Sequence, residues 1–304
     1  MSMIPSDNAR TAVYRRRARV VICRGLRVCA YSALGRRCRH RPAVCPVGGR
    51  YEMRRFGSPE ALAWLGTNGV HANSVELKTL LVPPAEAAAE ALTGRCAPTW
   101  SVRRMYLLDT VDLDLVRAGV EIRLRRRARG RYDLAVSARR SGIARERIIP
   151  RNVRVELDIV PGALWQDIED RCEVGSAAAA EVIAGSAASQ ELLSATQRSW
   201  ACCGGNEAVD DAQLRELRVH GPLVVHRVKV NAQRLGLRRA DLELYRYPSG
   251  RELLELSTRC WPQDVLQTAT AFEQLLDERD VVVAPGHRTK ASVWQDEIGI
   301  GRAS

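Results

Sequence analysis

Acidic and basic side chains recur at every second position along much of this chain, and any chemistry it performs begins with that spacing. Ser74-Val-Glu76-Leu-Lys78 puts Glu76 and Lys78 on one face of an extended segment, and Glu121-Ile-Arg123-Leu-Arg125 does the same for Arg123 and Arg125. The pattern returns in Asp133–Arg140, which carries Arg139, and in Arg154-Val-Glu156-Leu-Asp158. It returns again around Arg227 and Lys229, in Asp241-Leu-Glu243-Leu-Tyr245 and in Leu254-Glu255-Leu-Ser257-Thr-Arg259. A strand face that merely meets water tolerates any polar residue. This one concentrates carboxylates, which suit hard divalent cations, and guanidinium forks, which match pairs of phosphate oxygens.

Such groups converge only if the strands curl around them. At least six short alternating segments, bounded by Gly, Pro or polar turns, favour a closed or strongly curved antiparallel sheet over a doubly wound one. Its charged face then lines a lumen or cleft. Helices cover the apolar outside. Ser58-Pro59-Glu60 caps a short helix over 61–65, and Pro83-Pro84 opens an Ala/Glu-rich helix that Gly94 ends. A polar turn or short helix spans 110–118, and Gly130 turns the Arg-rich strand back on itself. The stretch 161–208 reads as a helical excursion without strands. Gly221-Pro222 opens a β meander, with a turn at Tyr247-Pro-Ser-Gly250. After Pro262 an amphipathic helix presents Val265, Leu266, Ala269, Phe272 and Leu276 to the sheet.

The net charge of +12 at first suggests a nucleic-acid partner, but its location argues otherwise. Residues 1–55 hold 14 Arg, no Lys and two acids, so they carry the whole excess and the remaining residues are balanced. The basic pI therefore says nothing about what the folded domain binds, and only the tail has the charge for nucleic acid or acidic lipid. Arg24 and Arg27 interrupt the tail's one apolar stretch, which excludes a signal peptide, and no run reaches the ~18 apolar residues of a membrane span. The expected location is cytoplasmic, with the nine Cys reduced; the tail has no C-x-x-C pair to suggest zinc. Composition turns ordinary at Met53, which points to a natural start there. The expected organisation is a basic, disordered extension over 1–69, a folded domain over 70–297 and a short tail over 298–304.

Several segments, in order, carry a family resemblance. They are Ser74-Val-Glu-Leu-Lys78, Tyr106-Leu-Leu-Asp-Thr110, Ala118-Gly-Val-Glu-Ile-Arg-Leu-Arg125 and Val155-Glu-Leu-Asp158. Further along come Leu193-Ser-Ala-Thr-Gln-Arg198, Tyr247-Pro-Ser-Gly250, Leu253–Cys260 and Thr289-Lys290. The chain resembles the CYTH proteins of the triphosphate tunnel metalloenzyme superfamily, in their actinobacterial form, over about 74–294. The resemblance implies a mainly β, α+β fold: an antiparallel eight-stranded β-barrel tunnel with helices packed outside. It implies Mg²⁺ or Mn²⁺ held by Glu76, Glu243 and Glu255. Lys78, Arg123, Arg125, Arg227 and Lys290 would grip a triphosphate or polyphosphate, with Arg139 and Lys229 as additions and Lys78, Arg123 and Arg125 nearest the chemistry.

The implied activity is metal-dependent hydrolysis of inorganic triphosphate or a related triphosphate. The alternatives are a class IV adenylate cyclase and a non-catalytic module that binds polyphosphate or nucleotides. Three positions depart from the family pattern: Ser74 and Ser257 stand where carboxylates are expected, and Ser137 where a lysine is. Each loss removes one charge from the site, which is what favours the binding module. Asp109, Glu121 and Asp158 read as turn or solvent-face acids, Arg126 and Arg127 as surface groups, and His226 as packed outside the tunnel.

Overall fold

The alternating segments do form strands, and the strands close on themselves. The structure, a computed structural model, describes residues 55–302 apart from 70, 143–152 and 287. The Arg-rich stretch before residue 55, its cysteines and Met53 lie outside the described residues. In chain order the regular elements are α1 (Pro59–Asn68), β1 (Ser74–Leu81), α2 (Ala85–Thr93), β2 (Ser101–Asp109), α3 (Asp114–Arg117), β3 (Val120–Arg126) and β4 (Tyr132–Ser141). Then come β5 (Arg154–Val160), β6 (Ala163–Val174), α4 (Ser176–Ile183), α5 (Ala195–Cys203) and α6 (Asp211–Arg215). The last are β7 (Arg218–Val230), β8 (Ala240–Arg246), β9 (Glu252–Cys260), α7 (Val265–Glu278) and α8 (Lys290–Arg302). All described residues fall within one compact unit, Glu52–Ser304.

The barrel runs β1-β5-β6-β4-β3-β2-β7-β8-β9 and back to β1. It therefore has nine strands, where the resemblance implied eight, all antiparallel. An odd ring cannot alternate direction all the way round, so one contact must be parallel. That contact is β1 with β5, where Glu76 lies opposite Asp158. The ninth strand is β6, inside the stretch read as strand-free. It carries polar residues on both faces, with Ile168 its only fully buried apolar side chain, so it lacks the alternation that marks the others.

The helices sit where their caps and apolar faces place them. The Ser58 hydroxyl accepts from the Ala61 amide at 3.2 Å to start α1, and Gly94 ends α2 in a left-handed conformation (φ 66°). α1, α2 and α7 bury Leu62, Leu65, Leu92 and Phe272 against Leu77, Leu242 and Leu256 on the outside of β1, β8 and β9. α3 to α6 cover the outside of β3 and β4 in the same way, through Leu115, Val182, Trp200 and Leu214. Phe56 and α1 belong to the core, so the folded domain begins before the expected boundary at 70, and α8 runs through the expected tail to Arg302. β7 starts earlier than the meander read from Gly221-Pro222, and the register with β2 shifts between Met105 and Leu107. There Gly221 takes φ +123°, and a Cβ would meet the Met105 carbonyl at 3.1 Å, so only glycine passes.

Asp109 is structural, as its sequence context indicated. Its buried carboxylate accepts from the amides of Thr110 (2.8 Å), Leu115 (2.9 Å) and Val116 (3.0 Å), fixing α3 at the end of β2. Asp109→Ala is expected to lower stability by about 2 kcal/mol, because it leaves buried donors unsatisfied. Asp109→Asn, which keeps one acceptor, should fall between the two; urea midpoints for the three proteins test this.

Candidate functional site

Alternation assigns each strand an inner face, and the inner faces differ along the barrel's length. At one end they are apolar: Leu80, Met105, Leu107, Leu223, Val225, Tyr245, Tyr247 and Leu253 pack with Val293 and Trp294 of α8. Toward the other end they become ionic. Glu76 and Lys78 of β1, Arg123 and Arg125 of β3, Asp158 of β5, Asp167 and Glu169 of β6, Arg227 of β7 and Glu243 of β8 line the interior.

The ionic part is a connected network. Lys78 Nζ lies 2.7 Å from Glu76 Oε2 and 2.8 Å from Asp158 Oδ2. Arg259 Nη2 bridges Glu76 (3.2 Å) and Glu156 (3.0 Å), and the Ser74 hydroxyl donates to Glu156 at 2.8 Å. Arg123 pairs with Glu121 at 3.2 Å and with Glu169 at 2.9 Å. Arg227 pairs with Asp241 and lies 3.6 Å from Glu243, whose carboxylate also accepts from the Tyr245 hydroxyl. Lys290, at the start of α8, reaches Glu255 at 3.1 Å above the Tyr245 ring. Arg139 lies 3.5 Å from Asp158 and 5.2 Å from the centre of the Trp165 ring. Lys229 is exposed.

The structure brings one group of carboxylates together that the resemblance did not name as a set. Glu76, Glu156 and Asp158 bring ligand atoms within 4.8 Å of one another, and Glu243 and Glu255 lie in a neighbouring group with Arg227, Tyr245 and Lys290, close enough for Lys290 to act on Glu76. Asp158, read from sequence as a turn or surface acid, is buried, and its Oδ1 has no hydrogen-bond partner among the described residues. An orphaned carboxylate oxygen beside two more carboxylates fits a hard divalent cation. Asp167 Oδ1 is unpartnered in the same way. Both Asp167 and Glu169 come from β6, so the sequence reading missed them with the strand.

The titration behaviour shows which interior groups are balanced and which are not. On the β1/β5/β6 wall, burial and the nearby Glu76 charge push Glu156 up to about 7. Burial and the neighbouring acids Asp158 and Glu169 push Asp167 up to about 6, against the pull of Arg123. Burial alone would raise Glu76 as well, but Lys78, Arg259 and Lys290 hold it well below the usual range. On the opposite wall the imbalance reverses. Burial and the adjacent Arg123 push Arg125 down to about 10. Burial and Arg227 also lower Arg103. Neither Arg103 nor Arg125 makes an ion pair among the described residues. Groups held the other way sit among them: burial would raise Glu169, but Arg123, Arg171 and Arg125 hold it down at about 2, and burial would lower Arg123, but Glu121 and Glu169 raise it, so both walls mix paired and unpaired charge.

Three comparisons bear on what such an interior belongs to. No protein-family model matches the sequence, and no curated protein matches it at a significant level. Among solved structures, a Hippeastrum protein described as an adenylyl cyclase candidate with a dominant triphosphatase activity aligns with a TM-score of 0.53. It is 17% identical and covers 73% of this chain and 94% of its own. The chain has a CYTH-like tunnel fold. A Bacillus halodurans protein described as an adenylate cyclase candidate aligns with a TM-score of 0.48 at 13% identity, covering 72% of this chain and 95% of its own. Within this CYTH-like tunnel the apolar end is filled and the ionic end opens to solvent. At that mouth a pocket of about 360 Å³ is lined by Ser74, Glu76, Asp241, Ser257 and Arg259, with Arg154, Arg238, Arg239 and Trp261 around its rim. Ser74 and Ser257, two of the three departures from the family pattern, both face this pocket. Among the described residues no helix is long and apolar enough to cross a membrane, and Cys96, Cys172, Cys202, Cys203 and Cys260 are free thiols.

Proposed function

We propose that the tunnel hydrolyses a phosphoric anhydride bond of inorganic triphosphate or a related triphosphate with a divalent cation bound. The observation that carries this reading is geometric: inside one closed barrel, Glu76, Glu156 and Asp158 bring ligand atoms within 4.8 Å of one another, and Arg103 and Arg125 make no ion pair among the described residues. One guest, a cation–polyanion complex, supplies a partner to both groups. Glu76, Glu156 and Asp158 would hold the cation, which when bound neutralises phosphate charge and polarises the reacting phosphoryl group. Mg²⁺ and Mn²⁺ both suit that oxygen donor set.

The chain's own residues would do the rest. Arg125 and Arg103 accept the anionic chain, and Arg123, held rigid between Glu121 and Glu169, fixes its position. Asp167, buried with a free oxygen and an elevated pKa, is matched to take the proton of the attacking water near neutral pH. Water adds to phosphorus, the bridging P–O bond breaks, and phosphate and diphosphate leave through the same mouth, because α8 and its neighbours fill the other end.

The test is phosphate release by the full chain from inorganic triphosphate with Mg²⁺ or Mn²⁺, compared with the chelated protein. Cation-dependent release is expected. Tight binding of triphosphate without release would replace this reading with the binding module, and cyclic AMP formed from adenosine triphosphate would replace it with the cyclase.

A further inference from the structure

In the middle of its inner face β4 carries only small side chains, set between the long charged ones of its neighbours. The ladders form two rows there. Ser137 lies between Glu121 of β3 and Glu169 of β6, and Ala135 lies between Arg123 of β3 and Arg171 of β6. Ser137 is buried, and Ala135 completely so. Arg123 reaches from its own strand to β6: its Nε is 3.2 Å from Glu121 Oε1, and its Nη2 is 2.9 Å from Glu169 Oε2. Arg171 Nη2 meets the other oxygen of Glu169 at 2.6 Å. The line from Glu121 to Glu169 passes over β4, so the Arg123 guanidinium occupies the space that a longer side chain at 137 would fill.

A small buried residue usually means only that nothing larger fits. Here the space it leaves is taken by a charged group that faces the lumen. The Ser137 hydroxyl makes no hydrogen bond among the described residues, so what the residue contributes is its size. We propose that Ser137 is a positioning residue: its short side chain opens a slot across β4 that holds Arg123 against Glu169 and leaves Nη1, which neither ion pair uses, for an anion in the lumen. A guanidinium fixed at two nitrogens presents one oriented edge, where an unheld arginine would have to be ordered by the guest itself. This rests on the reading of the interior as a polyanion site, and one of its two readouts is independent of that reading.

The first readout is calorimetric titration of tripolyphosphate into the full chain, Ser137→Ala, Ser137→Val and Ser137→Leu, each also made in an Arg123→Gln background. Alanine keeps the slot and should bind as the wild type does. Valine and leucine fill it and should weaken binding about tenfold or more, the loss of one charge-assisted contact. In the Arg123→Gln background the same two substitutions should change nothing further, because the group they displace is gone. The second readout is the Arg123 Nε–H signal in a heteronuclear spectrum of the arginine side chains, assigned by its loss in Arg123→Gln. It should persist in Ser137→Ala and vanish in Ser137→Val, which adds less bulk than leucine and keeps the test available if leucine prevents folding. A Ser137→Ala variant as weak as Ser137→Val, equal weakening in both backgrounds, or an Arg123 signal unmoved by valine overturns the proposal. A wild-type chain that binds no tripolyphosphate overturns the interior reading instead, and the Arg123 signal then decides whether the slot exists.

Discussion

Lys78→Met is expected to unfold at markedly lower denaturant than the wild-type chain in chelator, and to lose triphosphate turnover altogether. Lys78 is 8% exposed and lies between Glu76 at 2.7 Å and Asp158 at 2.8 Å, with Asp158 only 1% exposed. Burial alone would lower its pKa, but Asp158 and Glu76 raise it well above the ordinary 10.5. A lysine raised in this way contributes its full stabilisation below its unfolded pKa and loses it only as pH climbs through the folded value. Its own titration therefore adds no pH dependence across the physiological range. Methionine conserves the volume and removes the charge, leaving two buried carboxylates facing each other. Breaking a buried ion pair from one side costs about 3–5 kcal/mol. The deficit should shrink as pH falls and the carboxylates take up protons, and shrink again when Mn²⁺ supplies the missing charge. A packing defect would do neither. A deficit that is the same at pH 5 and pH 8 and indifferent to Mn²⁺ would show that Lys78 is not the counter-ion of this cluster.

Lys78 also shows how much of the site was legible from sequence. A charge at every second position in a strand is a local signal, so β1, β3, β4, β5 and β7 to β9 could be read as strands directly. The barrel closure followed from strand count and curvature. What could not be read was which strands meet. Glu76 and Asp158 are 82 positions apart, and only the parallel β1/β5 contact places them together. Without it Asp158 looks like any acid on a wet strand face, and its place beside Glu76 goes unseen. β6 failed for a different reason. Its outer face sets Gln166 and Asp170 among Leu164, Ile168, Cys172 and Val174, and α5 meets its backbone by hydrogen bonds: the Gln197 side chain lies 3.4 Å from the Asp170 carbonyl, and Trp200 Nε1 lies 3.3 Å from that of Ile168. Polar residues interrupting the apolar face blur the binary pattern, and Asp167 and Glu169 went unread with the strand.

Glu156→Gln should raise stability in chelator at pH 8, which is unusual for removing a charged group from an ion-pair network. Glu156 accepts from Ser74 and Arg259, yet its pKa is pushed up to about 7 by burial and by the charge of Glu76, with which it shares Arg259. For an acid raised in the folded state the sign is the reverse of the usual carboxylate case. Between its ordinary 4.5 and about 7 the unfolded chain has released the proton while the folded chain still holds it, so wild-type stability falls as pH rises through that window. Above it the folded protein carries a charge it disfavours, by about 3 kcal/mol at most. Glutamine never ionises, so the variant should gain on the wild type from pH 5 to pH 8 and show no advantage below pH 4.5. Mn²⁺ should reverse the order. A bound cation makes the ionised form of Glu156 the favoured one, so the wild type gains strongly while the variant, short one anionic ligand, responds weakly. Thermal melts at both pH values, with and without Mn²⁺, give four comparisons for each protein. A variant less stable at pH 8 in chelator, with a cation response matching the wild type's, would remove Glu156 from the ligand set and leave Glu76 and Asp158 without their third partner.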